Sequence, residues 1–136
     1  MKNKMTPQGW LRKFRLALTG LIWAVRSEGS FRVHLPAAFF AILLAQFLRF
    51  DTARWIGLVI TIGIVLVAEL FNTALETLAQ AVDDQYNEHI KHALDVASAA
   101  VLMSSVVAVV AGVLLYWTPF WNWWLLPTGE VSLGTH

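Results

Sequence analysis

Three long apolar stretches, separated by short polar breaks, dominate the chain. They cover residues 30–50, 55–81 and 93–117, and each is long enough to cross the ~30 Å hydrocarbon core of a bilayer as a helix. Hydrophobic residues make up 57% of the chain, charged residues make up 14%, and the mean hydropathy is +0.59. These values are typical of a membrane protein. We therefore predict an all-α membrane protein with three transmembrane helices.

The segment before these stretches also has helical spacing. Between residues 10 and 27, apolar and aromatic residues recur on one side, and Arg and Lys fill the other side. A basic amphipathic helix with aromatic residues on its apolar face lies in the plane of a membrane surface. We predict an N-terminal interfacial helix over residues 10–27, after a disordered basic segment at residues 1–9. Residues 10–117 then form one membrane-embedded domain.

The distribution of Lys and Arg predicts the orientation in the membrane. Residues 1–34 hold seven of the ten basic residues, whereas the Trp-rich tail over residues 118–136 holds none. Cytoplasmic ends carry such an excess, and Trp residues gather at bilayer interfaces. We expect a multi-pass protein with a cytoplasmic N-terminus and an outward-facing tail, and we expect no nucleic-acid partner.

The second apolar stretch contains the most informative polar residues. Glu69, Asn72 and Glu76 follow each other at helical spacing, so they share one face of a helix within about two turns. An ionisable residue in hydrocarbon costs about 3 kcal/mol or more, so it indicates a functional site. Two other interpretations stay open. Such a stripe can join helices to one another, or it can serve as the proton relay of a transporter.

Further polar residues reach a similar membrane level in the predicted topology. Glu28 precedes the first span, and Asp95, followed by Ser98 one turn deeper, opens the third span. Glu76 lies about 10 Å nearer the cytoplasm than Glu69. This location favours an enzyme over a transporter, whose charges lie near the midplane. Carboxylates from three helices suit Mg²⁺, and a desolvated carboxylate such as Glu69 suits a general base. The chain has no P-loop, so these residues alone indicate a membrane-embedded carboxylate–metal site.

Several motifs resemble those of the bacterial integral-membrane diacylglycerol kinase family, which includes undecaprenol kinases. They are a Glu-x-x-Asn-x-Ala-x-Glu element at 69–76, Tyr86, an Asp-x-x-Ser start of the third span at 95–98, an Ala-x-x-Gly pair at 17–20 and the stretch 28–35. The resemblance runs from about Leu11 to Trp117. It implies an ATP-dependent lipid kinase of the bacterial cytoplasmic (inner) membrane, which phosphorylates the hydroxyl of diacylglycerol to give phosphatidic acid. It also implies a homotrimer with active sites shared between subunits.

The resemblance further implies roles for individual residues. Glu28 and Glu76 would hold the Mg²⁺ of Mg-ATP, Asn72 would support them, and Glu69 would accept the proton of the lipid hydroxyl. The cytoplasmic nucleotide site would include Glu28, Glu76, Tyr86 and Asp95, and we expect Asn87 and Lys91, which the family pattern does not supply, to belong to it as well. The lipid site would be lined by Ser30, Phe31, Arg32, His34, Glu69, Ser98 and Gly112.

At three positions the chain departs from the family pattern. Leu94 stands where a Lys usually precedes the Asp of the third span, Asn87 where a His usually follows the loop Tyr, and Gln80 where an acid is expected. We expect Lys91, about one turn before Leu94, to supply the missing positive charge. Without this substitute the chain would be a lipid-binding relative without turnover. His34, where some members carry an acid, favours undecaprenol as the alternative substrate.

Overall fold

Four α-helices make up the part of the chain that the structure, a computed structural model, describes: residues 7–82 and 86–125. They are α1 (Pro7–Ser27), α2 (Phe31–Phe47), α3 (Thr52–Val82) and α4 (Glu88–Leu125). The predicted all-α class is confirmed in these residues. The predicted N-terminal disorder lies outside them up to residue 6, and residues 7–9 belong to α1. The predicted tail lies outside them from residue 126.

Helix α1 ends in a sharp turn, after which α2 leaves at an angle of 104°. Ser27 Oγ donates hydrogen bonds to the carbonyl oxygens of Trp23 and Ala24, at 3.0 and 3.3 Å, so the hydroxyl occupies acceptors in the last turn of α1. Helix α2 then begins at Phe31, whose ring is buried. The large apolar side chains of α1 between residues 10 and 23 are exposed in the single chain. That the helix lies in a membrane interface stays a prediction.

Helix α2 ends in a hydrogen-bonded motif that normally contains glycine. The Phe50 N–H donates to the carbonyl of Ala45 at 3.1 Å, and the Arg49 N–H donates to that of Gln46 at 3.2 Å, which is the pattern of a Schellman motif. Arg49 has a φ of 52°, in the left-handed region that costs a residue with a Cβ about 1–2 kcal/mol. Because of this motif α2 ends at Phe47, three residues before the predicted end of the first span.

We expect Arg49→Gly to stabilise the fold. Glycine adopts this φ without a steric penalty, and its extra freedom in the unfolded chain offsets only part of the gain, so we expect a net increase of about 0.5–1 kcal/mol in the free energy of unfolding. Thermal unfolding of the purified protein in detergent, followed by circular dichroism, measures this. Arg15→Gly is the control, because Arg15 lies inside α1 and glycine there should destabilise by about 1 kcal/mol. A lower melting temperature for Arg49→Gly would contradict the prediction.

Helices α3 and α4 both begin at side-chain caps. Asp51 Oδ1 accepts a hydrogen bond from the Arg54 N–H at 2.9 Å, and Asp51 also pairs with the Arg54 guanidinium. The hydrogen bond from the Arg54 N–H is the main reason that the pKa of Asp51 lies below its ordinary value. The stabilisation by this cap is therefore complete above the ordinary pKa of an aspartate and is lost as the pH falls through the lowered pKa. Asn87 Oδ1 caps α4 in the same way, accepting from the N–H groups of His89 and Ile90 at 2.9 and 3.3 Å.

Helices α3 and α4 form the most extensive helix pair, and small residues lie where they meet. A Cβ added at Gly57 would come within 3.2 Å of Leu115 Cδ2, so the two helices approach closely there. On α4 the small residues Ala97 and Ser104 are buried, and small side chains let helices pack closely. Ala100, three residues after Ala97, is exposed in the single chain.

A small apolar core joins α2, α3 and α4 at the end of the bundle that holds the α2–α3 turn. Ala45, Phe50 and Leu58 are buried there, and the rings of Phe50 and Tyr116 lie 4.6 Å apart between centroids. The Tyr116 hydroxyl donates a hydrogen bond to the carbonyl of Ala41 at 2.6 Å. This bond joins α4 to α2 beside the apolar core.

Two to three of the described helices are long and apolar enough to cross a membrane. Helices α3 and α4 have 31 and 38 residues, which correspond to about 46 and 57 Å. Helix α2 has 17 residues, about 26 Å, and reaches the length of a span only together with α1. Helix α4 continues through Pro119 to Leu125, so the first part of the predicted tail is helical.

Candidate functional site

The polar stripe of α3 lies on a face that is apolar in its first half. Leu58 and Val65 are buried on this face, and Glu69, Asn72 and Thr73 follow them at helical spacing and are buried as well. Glu69 is 2% exposed. The face therefore changes from apolar to polar at Glu69, and a carboxylate replaces the aliphatic side chain that the pattern would place there.

Asn72 and Glu76 are joined by a hydrogen bond one turn apart on this stripe. Asn72 Nδ2 donates to Glu76 Oε1 at 2.8 Å. The bond orients the carboxylate and leaves its other oxygen for a further ligand. It also leaves Asn72 Oδ1, which is buried and accepts no hydrogen bond from the described residues, as a second oxygen donor beside it.

Three buried oxygens within about one turn of α3 have no hydrogen-bond partner in the described part of the chain: Glu69 Oε2, Asn72 Oδ1 and Thr73 Oγ1. His34 of α2 is the near neighbour of the first, with its Nε2 at 3.9 Å, a distance that allows an ion pair but is too long for a hydrogen bond. A buried polar atom left unpaired costs about 1–3 kcal/mol. Three of them together indicate a place where another molecule supplies the partners.

An apolar groove of about 280 Å³ lies between α2, α3 and α4 beside this stripe. His34 lines one end and Tyr116 the other, and small residues such as Ala41, Ala108 and Gly112 leave the space between them. A Cβ added at Gly112 would meet no atom within 4 Å. On α4 the lining runs from residue 105 to residue 116, about 17 Å along the helix. Such a groove suits a hydrocarbon chain whose polar end lies near Glu69.

The structure brings together some of the residues predicted for the lipid site. His34 and Glu69 are neighbours, and Gly112 lines the groove that begins at His34. Phe31 is 1% exposed and is a packing residue in the single chain. The other predicted residues are exposed and lie outside the lining of this groove: Ser30, Arg32 and Ser98. Thr73 was not predicted, although its position four residues after Glu69 places it on the same face.

Most residues predicted for the nucleotide site lie further along α3 than Glu69 or near the start of α4, away from the groove, whereas Glu28 lies in the turn between α1 and α2. Glu28 and Glu76 are half-buried, and the others are exposed: Tyr86, Asn87, Lys91 and Asp95. Neither Lys91 nor Asp95 forms an ion pair with any residue that the structure describes, so both remain available to a solute. Leu94 is half-buried between them. Asn87 has a structural role as the cap of α4, which accounts for an acceptor side chain at this position.

The oxygens around Glu76 fit the ligand preference of Mg²⁺. This ion is bound by hard oxygens, usually one or two carboxylates completed by water and substrate phosphates. Glu76 and Asn72 Oδ1 supply such oxygens from adjacent turns of α3. In the described residues of one chain, no three His, Asp or Glu side chains come together as a metal site.

These features define a class, the helical membrane proteins in which a polar site opens on an apolar groove. A sequence model of the family described as prokaryotic diacylglycerol kinase matches residues 15–116. The match covers most of the chain, so the protein belongs to this family of lipid kinases.

Named relatives agree with the family match. The diacylglycerol kinase of Escherichia coli (strain K12) is 32% identical over 101 residues, which cover 74% of this chain and 83% of that protein. The diacylglycerol kinase of Synechocystis is 34% identical over 103 residues, covering 75% of this chain and 59% of the relative. The undecaprenol kinase of Bacillus subtilis (strain 168) is 26% identical over 107 residues, covering 79% and 87%. The predicted family and the lipid-kinase class are thus confirmed.

Proposed function

We propose that this protein transfers the γ-phosphoryl group of Mg-bound ATP to the hydroxyl of diacylglycerol and so forms phosphatidic acid. The observation that carries the proposal is the turn of α3 on which Glu69, Asn72 and Thr73 present buried, unpartnered oxygens. This turn lies between an apolar groove and a set of exposed polar residues. A lipid and a soluble nucleotide can therefore approach it from opposite ends.

On the lipid side, the apolar chain lies along the groove and the hydroxyl reaches Glu69. Glu69 Oε2 accepts the proton of the hydroxyl as the lipid oxygen forms its bond to the γ-phosphorus, and the bond from that phosphorus to the leaving oxygen of ADP breaks. The carboxylate oxygen is suited to this role because no hydrogen bond within the described chain occupies it. His34, with its Nε2 3.9 Å from Glu69 Oε2, is a group to which the proton can pass afterwards, once the two side chains approach to hydrogen-bond distance.

On the nucleotide side, Glu28 and Glu76 would hold the metal ion, and Asn72 keeps the Glu76 carboxylate in place. Bound there, Mg²⁺ would neutralise charge on the phosphate oxygens during transfer. Lys91 and Asp95 contact the nucleotide at the start of α4, together with Tyr86 and the exposed part of Asn87. Diffusible ATP can reach all four of these side chains, because each is exposed.

Diacylglycerol and undecaprenol are both reasonable substrates, since relatives carry the names of both kinases. We favour diacylglycerol because the more similar relatives carry that name, although His34 is the residue that favours undecaprenol. The test is phosphate transfer from labelled ATP to each lipid alcohol, assayed side by side in mixed micelles with the purified protein. We expect a higher kcat/KM for diacylglycerol. A preference for undecaprenol would contradict the proposed substrate, but the proposed phosphoryl transfer to a lipid hydroxyl would stand.

A second candidate function, a lipid-binding relative without turnover, rests on Leu94. Leucine cannot neutralise charge on a transferred phosphoryl group, and one such contact commonly contributes about 3 kcal/mol to catalysis. We propose that Lys91, which is exposed and free of any ion pair with the described residues, supplies the charge. The two residues lie roughly 5 Å apart along the axis of α4.

Lys91→Ala is expected to reduce the rate of phosphorylation at least tenfold (about 1.4 kcal/mol of transition-state stabilisation), and Leu94→Lys should restore it in that background. Initial rates at saturating lipid and varied Mg-ATP measure both effects. His92→Ala is the control, because His92 is exposed in the same turn and, among the residues that the structure describes, pairs with Glu88. An unchanged rate in Lys91→Ala would show that Lys91 does not supply the missing positive charge.

We propose further that the protein is a homotrimer with shared active sites, in the bacterial cytoplasmic membrane with its N-terminus inside. One chain alone gathers an incomplete metal set among its described residues and leaves much apolar helix surface exposed, which supports assembly in a bilayer. Mass spectrometry of the protein released from detergent gives the subunit number. A reporter fused after His136 should be accessible from outside only. Access from the cytoplasm alone would contradict the proposed orientation.

A further inference from the structure

A second cavity lies at the end of the bundle opposite to the candidate active site. Its volume is about 680 Å³, and it is lined by the end of α2, the α2–α3 turn and the last turns of α4: Phe47, Leu48, Arg49, Arg54, Pro119, Asn122 and Trp123. Arg54 precedes Glu76 by 22 residues of α3, about 33 Å along the helix. This separation is close to the thickness of a bilayer core, so the cavity and the nucleotide site lie at opposite membrane surfaces.

The cavity carries one uncompensated positive charge in the described chain. Arg54 is paired with Asp51, the acidic side chain of the same turn. Arg49 is exposed and forms no ion pair with any residue in the described ranges. Asn122 adds an amide donor from α4, and the ring of Trp123 packs edgewise against Phe47 with centroids 5.5 Å apart. The site thus combines a guanidinium with an apolar wall.

The backbone at Arg49 gives an independent reason to assign a role to this side chain. Its φ of 52° is the conformation at which glycine is usual in a Schellman motif. A residue held in such a conformation suggests a function for its side chain, and here the strained position carries the arginine that lines the cavity. A glycine would complete the same turn and leave the cavity without its free charge.

We propose that this cavity binds the phosphate of an anionic phospholipid headgroup, in the leaflet opposite to the candidate active site. A guanidinium binds phosphate oxygens through two parallel hydrogen bonds. Basic pockets between membrane helices bind anionic headgroups, and Trp residues lie at the level of those headgroups. Phe47, Leu48 and Trp123 provide the wall along which the first part of a lipid chain lies. The proposal is independent of the reaction at Glu69.

Lipid retention by the full chain tests the proposal. The purified protein in detergent is titrated with phosphatidylglycerol, phosphatidylcholine or inorganic phosphate, and the bound molecules are counted by native mass spectrometry. We expect the parent to bind phosphatidylglycerol at least tenfold more tightly than phosphatidylcholine, and inorganic phosphate more weakly than either lipid. Arg49→Gly and Arg49→Ala should each lose this preference, while Arg15→Ala, which removes an equal charge from α1, should keep it.

Arg49→Gly also separates loss of binding from loss of folding, because this variant is expected to be more stable than the parent. Undiminished phosphatidylglycerol binding in Arg49→Gly would overturn the proposal, and so would equal binding of the two lipids. Inorganic phosphate that bound as tightly as phosphatidylglycerol would show a simple anion site and would overturn the proposal as well. Glu130 is the acidic residue of the segment after Leu125. Tighter lipid binding in Glu130→Gln would show that the chain's own carboxylate competes for Arg49, and would also overturn it.

Discussion

Replacing Glu69 by Gln is expected to reduce the rate of lipid phosphorylation by about 10²–10⁴-fold, the usual contribution of a general base. Glutamine has nearly the same size and can fill the same buried position, but it cannot accept the proton of the lipid hydroxyl. The affinity for Mg-ATP should change little, because Glu69 is not among the residues proposed to bind the nucleotide or its metal ion. Initial rates with labelled ATP and diacylglycerol, together with the KM for Mg-ATP, measure the two effects separately.

Two further variants make the Glu69 result specific. Glu69→Asp keeps the carboxylate but shortens its reach, so we expect it to retain more activity than Glu69→Gln. Glu88→Gln removes an exposed acid whose ion-pair partner in the described part of the chain is His92, and it should leave the rate within about threefold of the parent, under 1 kcal/mol. If Glu69→Gln and Glu88→Gln had the same activity, Glu69 would be a packing residue and the mechanism would be wrong.

Glu76→Gln should weaken Mg-ATP binding by at least a hundredfold (about 2.7 kcal/mol) while the protein still assembles. An amide keeps the size of the side chain and can still bond to Asn72, but it lacks the negative charge that a hard cation requires. Glu28→Gln should have a comparable effect. Equilibrium binding of a labelled, non-hydrolysable ATP analogue, at varied Mg²⁺ concentration, measures both variants.

A substitution at Asn72 tests the orientation of the Glu76 carboxylate separately from its charge. Asn72→Ala removes the hydrogen bond that orients the Glu76 carboxylate and leaves the carboxylate itself. We expect a smaller loss of Mg-ATP affinity, about tenfold, because the side chain must then be ordered on binding. Binding of Mg-ATP by Glu76→Gln at the parent's affinity would exclude Glu76 as a metal ligand, whatever the effect on lipid turnover.

Helical periodicity was sufficient to predict the elements and the polar stripe. The spacing of Glu69, Asn72 and Glu76 determines that they share a face of one helix, whatever surrounds that helix. The structure adds that this face is buried at Glu69 and Asn72, and that Asn72 donates a hydrogen bond to Glu76. The hydrogen bond joins two residues of one helix, and their spacing already allows it. The roles of these residues in catalysis came from resemblance to a family and stay predictions.

Contacts between helices could not be predicted in the same way. Nothing in the sequence determines that His34 of α2 faces Glu69, because this depends on the rotation of two helices about their axes and on the 104° bend before α2. The groove between His34 and Tyr116 depends on the same rotations and bend, so it could not be predicted either. Thr73 was overlooked because a threonine in an apolar span can satisfy its hydroxyl within its own helix, and only the structure shows Oγ1 unpaired.

The ends of two helices differ from prediction for identifiable reasons. Helix α2 ends early because Arg49 adopts the left-handed conformation, for which the usual signal is glycine. Helix α4 extends past the predicted end at residue 117 because Pro119 does not interrupt it. A proline usually ends a helix in water, but it is tolerated more often in helices that cross membranes.

The most direct test of the proposed function is the initial rate of phosphate transfer from labelled ATP to diacylglycerol by the purified full-length protein, with and without Mg²⁺. We predict labelled phosphatidic acid that accumulates linearly with time, requires Mg²⁺, and falls by at least a hundredfold (about 2.7 kcal/mol) in Glu69→Gln. Absence of label in both diacylglycerol and undecaprenol, from protein that still binds lipid, would contradict it and leave a lipid-binding relative.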